Sequence, residues 1–564
     1  MPPKPQTLES IAHAVQGYAA ISVNSFAPEL ILGVGFLLAI LLDAVTRKAS
    51  SKRFSVIFAA VVLAIAGVFA ATQWHGFDAL HSHDWKPGFL IFPYSQTLFA
   101  PVIHAGVMDH GYGMAVVDNL SVFFKLLVSL AGILVLLMSL ASQKLRTQPR
   151  RLGEYSSLVL GMSIGLYLMP ASTDLIMMYV SLELASIAGY ILAGFFRETE
   201  HGAEASLKYI LFGALSSGLM IYGFSLFYGL TGTTNIIAIR QVLALNPLTH
   251  AGTNMYLLWT ATVLVLVGMG YKISAVPFHF WTPDVYEGAP IPVTALLSVA
   301  SKAAGFGMLI RFVVFIFPVS AKNGAPLIDW QMMIAIGAVL TMTFGNFAAL
   351  LQSNVRRMLA YSTIAHSGYM LAALATGKAA GIVAIVIYLV AYLFTQLGAF
   401  YAVMLIENKI GSEEIDEYRG LMLRTPILCS AFVIFLVSLT GIPLTAGFVG
   451  KFYLLTAMLT PDPAVHGVPW LWLAVALILN SIVSLYYYLR VAAAMFLRRP
   501  IGAAALERIS GEIARPQPTG YSVPVTVFLG VLLVPVLLLG VYFQPLVTVA
   551  SSVVRFFNFD NFRY

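Results

Sequence analysis

GMGYKISAVPFHFW, residues 268–281, sets Lys272 five residues ahead of Pro277 inside a long apolar stretch. Proline removes a backbone donor and breaks a helix. A broken helix in an apolar setting frees backbone carbonyls and leaves half-helix dipoles. The stretch GIPLTAGFVGK (441–451) repeats the theme, with Lys451 eight residues after Pro443. Charge at the centre of a bilayer costs roughly 2.5–3.5 kcal/mol on insertion scales. Glu183, Lys208, Lys272, Lys302 and Lys451 all lie in such apolar runs. Four are lysines, whose ammonium can give up its proton when buried. The combination predicts a path for protons or cations.

The surrounding chain makes that setting a membrane. Of 564 residues, 59% are hydrophobic and 10% charged, with a mean hydropathy of +0.85. A soluble protein carries about 25% charge. The composition predicts an all-α polytopic membrane protein. One span needs about 20 apolar residues, and fourteen segments qualify: 28–46, 54–72, 117–141, 153–170, 174–196, 203–229, 255–275, 291–317, 329–351, 357–376, 380–406, 425–459, 469–497 and 520–548. The seventh runs into Pro277, and the twelfth carries Gly441, Pro443 and Gly447, so both are read as broken. The net charge of +7 does not signal nucleic-acid binding, because its basic residues lie mostly in short loops where they set orientation. No G-x-x-x-x-G-K-[ST] occurs, which argues against ATP-driven pumping by this chain. Cys429 is the single cysteine, so neither an internal disulfide nor a cysteine-ligated cluster is expected. The start, MPPKPQTLES, has no apolar core and is not a cleavable signal peptide.

With the N-terminus outside, eighteen of the 32 basic residues fall in inside loops and seven in outside segments. This bias predicts N-out and C-out. Four parts follow: a three-helix segment at 1–150 with an external loop at 73–116, a five-helix unit at 151–318, a second at 319–499, and a last helix with its tail at 500–564. The external loop carries His75, His81, His83, His104 and His110, but a lone H-x-H is weak evidence for metal, and none is assigned. Five is odd, so the two units run in opposite senses across the membrane. Inverted repeats with broken helices at matching places mark the transport site of many transporters.

Each candidate has a bland alternative. Glu183 could belong to a structural ion pair. Lys208 has Glu204 four residues earlier, a favourable helix pair, and lies near a surface. Lys302 sits among small residues in SVASKAAGFGM (298–308) that permit close helix contact and internal water. His366, in the second span of the second unit where Glu183 stands in the first, is either packing or a relay near its ordinary pKa of about 6.5. Lys125 is expected to snorkel or pair with a neighbouring helix, and Arg311 and Arg490 to snorkel from helix ends. His279, Trp281, Asp284, Tyr286 and Glu287 are placed in an ordered interfacial loop with a structural role.

VPFHFWTPDVYEGAPIPVTALLSVASKAAGF (276–306), EASLKYILFGALSSGLMIYG (204–223), MLAYSTIAHSGYML (358–371) and GIPLTAGFVGKFYL (441–454) resemble the subunit N family of proton-translocating NADH:quinone oxidoreductase, respiratory complex I. The likeness covers about 150–500. Related Mrp-type cation/proton antiporters share the lysine and glutamate plan, but TPDVYEGAP points to subunit N. Ile291 departs from the family's usual threonine. The resemblance implies that Glu183 pairs with Lys272, that Lys208 lies near the inner side, that Lys302 sits on the central axis, that His366 bridges the units and that Lys451 stands nearest the exit. It implies no cofactor in this chain: FMN, iron–sulfur clusters and quinone belong to other subunits. Its partners would be the other membrane-arm subunits, the lipid bilayer and protons, in a bacterial cytoplasmic membrane. An Mrp-type Na⁺/H⁺ antiporter subunit and a non-transporting scaffold are the alternatives.

Overall fold

The structure is a computed structural model and describes residues 25–45, 52–74, 113–147, 152–245, 252–317, 327–460, 470–498 and 520–555. The histidines of the expected external loop lie outside the described residues. The first helices are α1 (Ala27–Val45), α2 (Lys52–Thr72), α3 (Asn119–Ser139), α4 (Leu152–Ala171), α5 (Leu175–Ala193) and α6 (Glu200–Thr231). The seventh span is split into α7 (Gly252–Lys272) and α8 (Trp281–Gly288), followed by α9 (Ile291–Ile316). Then come α10 (Trp330–Leu350), α11 (Val355–Ala375), α12 (Ala379–Ile410), the broken pair α13 (Pro426–Thr440) and α14 (Ala446–Leu459), α15 (Leu471–Leu497), α16 (Val523–Val541) and α17 (Gln544–Arg555).

Twelve of these helices are long and apolar enough to cross a membrane. α11 is as long as a span but carries Ser362, Thr363, His366 and Ser367, all buried by neighbouring helices rather than facing lipid. The pair α13–α14 completes the expected fourteen. Rows of exposed apolar side chains, such as Leu37 and Leu41 on α1 and Val527, Val531 and Val534 on α16, are what a lipid-facing surface requires.

Two expectations change. Residues 281–288 are not a loop: they form helix α8, the second half of the broken seventh span, with Trp281, Val285 and Tyr286 buried. A helical period in WTPDVYEG is masked by its proline and polar residues, so hydropathy alone reads it as a connection. The last span also ends early, at Val541, and the chain restarts as amphipathic α17.

The two five-helix units match in local detail. A Cβ on Gly165 of α4 would meet Ser181 O at 2.7 Å and Ala185 N at 2.5 Å on α5; one on Gly345 of α10 would meet Tyr361 O at 2.9 Å and Ala365 N at 2.6 Å on α11. Every member of the second set lies 180 residues beyond the first. The caps agree as well. Asp174 and Asn354 each accept a backbone N–H at the start of α5 and α11, and each pairs across a short bridge, with Asn235 and Glu414. The 32-residue helices α6 and α12 both end on a glycine at φ 71°, Gly232 and Gly411. By this register Ser186, not Glu183, stands where His366 stands, one turn farther along the helix.

α12 lies at the centre, packed by α11, α13, α14, α16 and the start of α9. α1, α2 and α3 pack together against α4. This arrangement encloses the middle of α9 and α11 from all sides, and there the polar residues gather.

Candidate functional site

α11 is the hub. A fully buried helix can carry hydroxyls and an imidazole only if each finds a partner. Ser362 Oγ bonds Tyr488 OH of α15. Thr363 Oγ1 donates to Leu359 O at 2.7 Å and accepts from Gln396 Nε2 of α12 at 3.0 Å. His366 lies between two tyrosine hydroxyls, Tyr388 on Nδ1 and Tyr488 on Nε2, the latter at 3.2 Å. Tyr369 OH accepts from Asn346 Nδ2 at 2.8 Å.

Lys302 reaches this hub from α9. Its ammonium donates to Thr363 O at 2.9 Å and to Ser367 Oγ at 3.2 Å, and the residue is 1% exposed. The turn just before it, Leu297–Ser301, is a π-helix. Such turns widen the helix and free backbone groups, and they recur at functional sites. No sequence signal marked it.

Lys451 uses the other helix break. α13 ends at Thr440, whose carbonyl has no helical partner, and Lys451 Nζ donates to it at 2.8 Å. A cation at a helix C-terminus also meets the negative end of the dipole. Ser481 Oγ accepts at 3.2 Å, and the Tyr369 ring lies 4.7 Å from the ammonium. Gly441, at φ 89°, allows this approach, since a Cβ there would lie 2.8 Å from Lys451 Cδ. Gly441→Ala is expected to destabilise the break by about 1–3 kcal/mol, read as a lower melting temperature of the purified protein.

Lys272 is the last residue of α7. It is 1% exposed, and Nζ donates to Ser186 Oγ at 3.0 Å. Trp281 Nε1 donates at 3.1 Å to the Tyr271 carbonyl, which also accepts from Ser274 N at 3.1 Å. Gly305, one turn beyond Lys302 on α9, packs on the stem of Lys272, with a virtual Cβ 3.3 Å from Cγ. Lys272 and Lys302 thus share one face of α9. Glu183 on α5 is only half-buried and makes no hydrogen bond or ion pair with Lys272, which bonds Ser186 instead.

Lys208 stands apart from this core. It is 36% exposed and pairs with Glu204 at 2.6 Å and with Asp284 of α8. Asp284 and Glu287 also pair with Arg357, at 2.8 and 2.6 Å. The site brings together Lys272, Lys302, His366 and Lys451, with Glu183 alongside, while Lys208 belongs to a peripheral ionic cluster that fixes α8 to α6 and α11.

Sequence reasoning missed one more buried charge pair. Arg311 does not snorkel: it is 1% exposed, with Nη2 on Asp118 at 2.8 and 2.9 Å and Nε on Pro170 O at 2.6 Å. Arg490 is partly buried and reaches the end of α10, donating to Leu350 O at 3.0 Å and to Gln352 O in the loop beyond. Lys125 pairs with Glu29 of α1 at 2.6 Å, as a helix-pairing role requires. A sorting rule emerges. Arg311, Lys125, Arg356 and Lys208 each face a carboxylate. Among the described residues, Lys272, Lys302 and Lys451 face only hydroxyls, carbonyls or a ring. The described residues contain no group of three metal-ligating side chains.

Residues 172–482 match a family described as NADH:quinone oxidoreductase/Mrp antiporter, TM. A protein of Chlorobium chlorochromatii named NADH-quinone oxidoreductase subunit N is 41% identical over 527 residues, 93% of each chain. One from Anaeromyxobacter sp. with the same name is 38% identical over 94% of this chain and 96% of its own. Among solved structures, a chain of respiratory complex I from Thermus thermophilus with bound aureothin superposes with a TM-score of 0.67 at 29% identity, over 93% of this chain and 99% of that one. A chain of the Mrp complex from Dietzia sp. shares the fold, with a TM-score of 0.70 at 21% identity over 94% and 97%.

Proposed function

The chain belongs to the NADH:quinone oxidoreductase/Mrp antiporter membrane family, and from that membership we propose that it is a proton-translocating membrane subunit of an NADH:quinone oxidoreductase, of the subunit N kind. The observation that carries the reading is the row of buried lysines without carboxylate partners. A buried ammonium held by a carboxylate cannot lose its proton without stranding a buried anion. One held by hydroxyls and carbonyls can become a neutral amine and leave no charge behind. Lys272, Lys302 and Lys451 are of the second kind.

In this account Glu183 is the control on Lys272. It stands beside Lys272 without an ion pair to it. A charge change arriving from a neighbouring subunit weakens its attraction for the ammonium, and the proton passes from Lys272 toward Lys302. His366, between two tyrosine hydroxyls, relays it toward Lys451. The released proton leaves by the far side, and each lysine is neutral only in transit. Lys208 contributes from the edge, by holding Asp284 and therefore α8 in place.

The units 151–318 and 319–499 are the two halves of the path, related by inversion. The face with most basic loops is cytoplasmic, with both termini outside, in a bacterial cytoplasmic membrane. Other membrane-arm subunits are its partners, and FMN, iron–sulfur clusters and quinone lie in other subunits. Affinity purification of the tagged chain from its native membrane tests this reading. NADH:quinone oxidoreductase activity should copurify. Recovery with cation-antiporter subunits and no NADH oxidation would overturn it.

A further inference from the structure

α13 and α16 both begin at the membrane face that carries the basic loops, and an apolar groove of about 440 Å³ runs between their first turns. Pro426, Ile427 and Ala431 form one wall, and Leu529, Gly530 and Leu533 the other. Small residues leave the hollow: a Cβ added to Gly530 would meet nothing within 4 Å. From Pro426 to Ile434 and from Thr526 to Leu533 the walls run about 10–12 Å, at 1.5 Å per residue. That is less than half of a hydrocarbon core of about 30 Å. Beyond it the helix break shuts the groove. Leu444, between α13 and α14, lies against α16, where a Cβ on Gly540 would meet Leu444 O at 2.3 Å. α14 then packs on α16. The groove therefore opens to one leaflet only. An acyl chain stays within its own leaflet, whereas a spanning helix of another subunit continues through both.

The mouth of the groove is basic and aromatic. Arg424, two residues before Pro426, is exposed. Lys409, at the end of α12, is exposed too, and its Nζ lies 3.7 Å from the centre of the Tyr521 ring. Tyr521 OH donates to Leu405 O at 3.3 Å, and Tyr401 OH to Val525 O at 3.4 Å, so the start of α16 is pinned to α12. The ring holds the ammonium at the level where tyrosines mark the membrane–water interface. Glu407, two residues before Lys409, turns to Lys144 instead. Basic pockets between transmembrane helices on the cytoplasmic side bind anionic headgroups.

We propose that this groove binds one anionic phospholipid from the leaflet on the basic-loop face, with acyl chain between α13 and α16 and phosphate between Lys409 and Arg424. Bound there, the lipid braces α13, the half-helix whose last carbonyl holds Lys451. The site does not depend on the proton path proposed above. The test uses the assembled complex in lipid nanodiscs doped with a phosphatidylglycerol that carries a photoactivatable diazirine on its acyl chain. Phosphatidylcholine with the same chain is the comparison. Phosphatidylglycerol should label residues 426–434 and 526–533 about fivefold more or better, read by mass spectrometry of peptides. Arg424→Gln should cut that preference about fivefold, the scale of one basic residue at a membrane surface. Gly530→Trp, which fills the groove, should abolish labelling there by both lipids. Equal labelling by the two lipids in the unsubstituted complex would leave only annular lipid and overturn the site. That comparison needs no variant, so it stands even if Gly530→Trp does not assemble. Replacement of Thr526 by p-benzoylphenylalanine adds a second check. A photocrosslink from it to another subunit rather than to lipid would also overturn the site, since protein would then cover the groove.

Discussion

Replacing Lys302 with methionine should leave an assembled enzyme whose NADH-driven proton pumping falls by roughly tenfold or more, the scale of losing one positioned proton-transfer group. Assembly should survive. The side chain bonds only Thr363 O and Ser367 Oγ, and Ser367 Oγ already bonds Thr363 O at 3.2 Å. Exchanging a buried charge for an apolar chain of similar volume is often neutral or stabilising. Lys302→Arg is the sharper variant. Arginine keeps the charge and can reach the same acceptors, but it does not deprotonate in proteins. If Lys302 supplies only charge, the arginine variant pumps; if it supplies a proton, it fails like methionine. Failure is the expected result, read as acidification by inverted vesicles normalised to the amount of assembled complex on a native gel.

Arg311→Ala should act on stability instead. It would strand the Asp118 carboxylate, 4% exposed, and leave the Pro170 carbonyl without its 2.6 Å donor. Removing one partner of a buried pair costs about 3–5 kcal/mol. Asp118 also caps α3, with Ser121 completing a capping box, so the loss reaches the contact among α3, α4 and α9. Little assembled complex and a clearly lower melting temperature are expected. Arg311→Met combined with Asp118→Asn should recover much of the loss, because no charge is then stranded. Normal assembly of Arg311→Ala would contradict the sorting of cations into carboxylate-paired and unpaired.

That sorting was only half legible in the sequence. The fourteen spans and both breaks could be read because hydropathy and proline act locally. Lys272, Lys302, His366 and Lys451 stood out because polar residues in apolar runs are costly wherever they end up. Which of them pair was not legible. Arg311 meets Asp118 across 193 residues, and nothing local tells its neighbourhood from a helix end where a long side chain snorkels. Glu183 carried the expected charge in the expected span, but Ser186 takes the contact with Lys272. The helical register decides that, and a shift of three residues is invisible to hydropathy. The sequence offered Glu204 as the partner of Lys208 near a surface, and that pair forms, but Asp284, 76 residues away, was not legible. The π turn before Lys302 and the helix at 281–288 are settled by packing around α9 and α12, and no propensity in LSVAS or WTPDVYEG foretells them.

The central claim is that protons cross this chain by way of lysines that no carboxylate holds. NADH-driven proton pumping in membrane vesicles carrying Lys272→Ala, with assembly checked by native gel, tests it most directly. Pumping lost in a fully assembled complex is the predicted result. Normal pumping with normal NADH oxidation would contradict it and make the buried lysines structural.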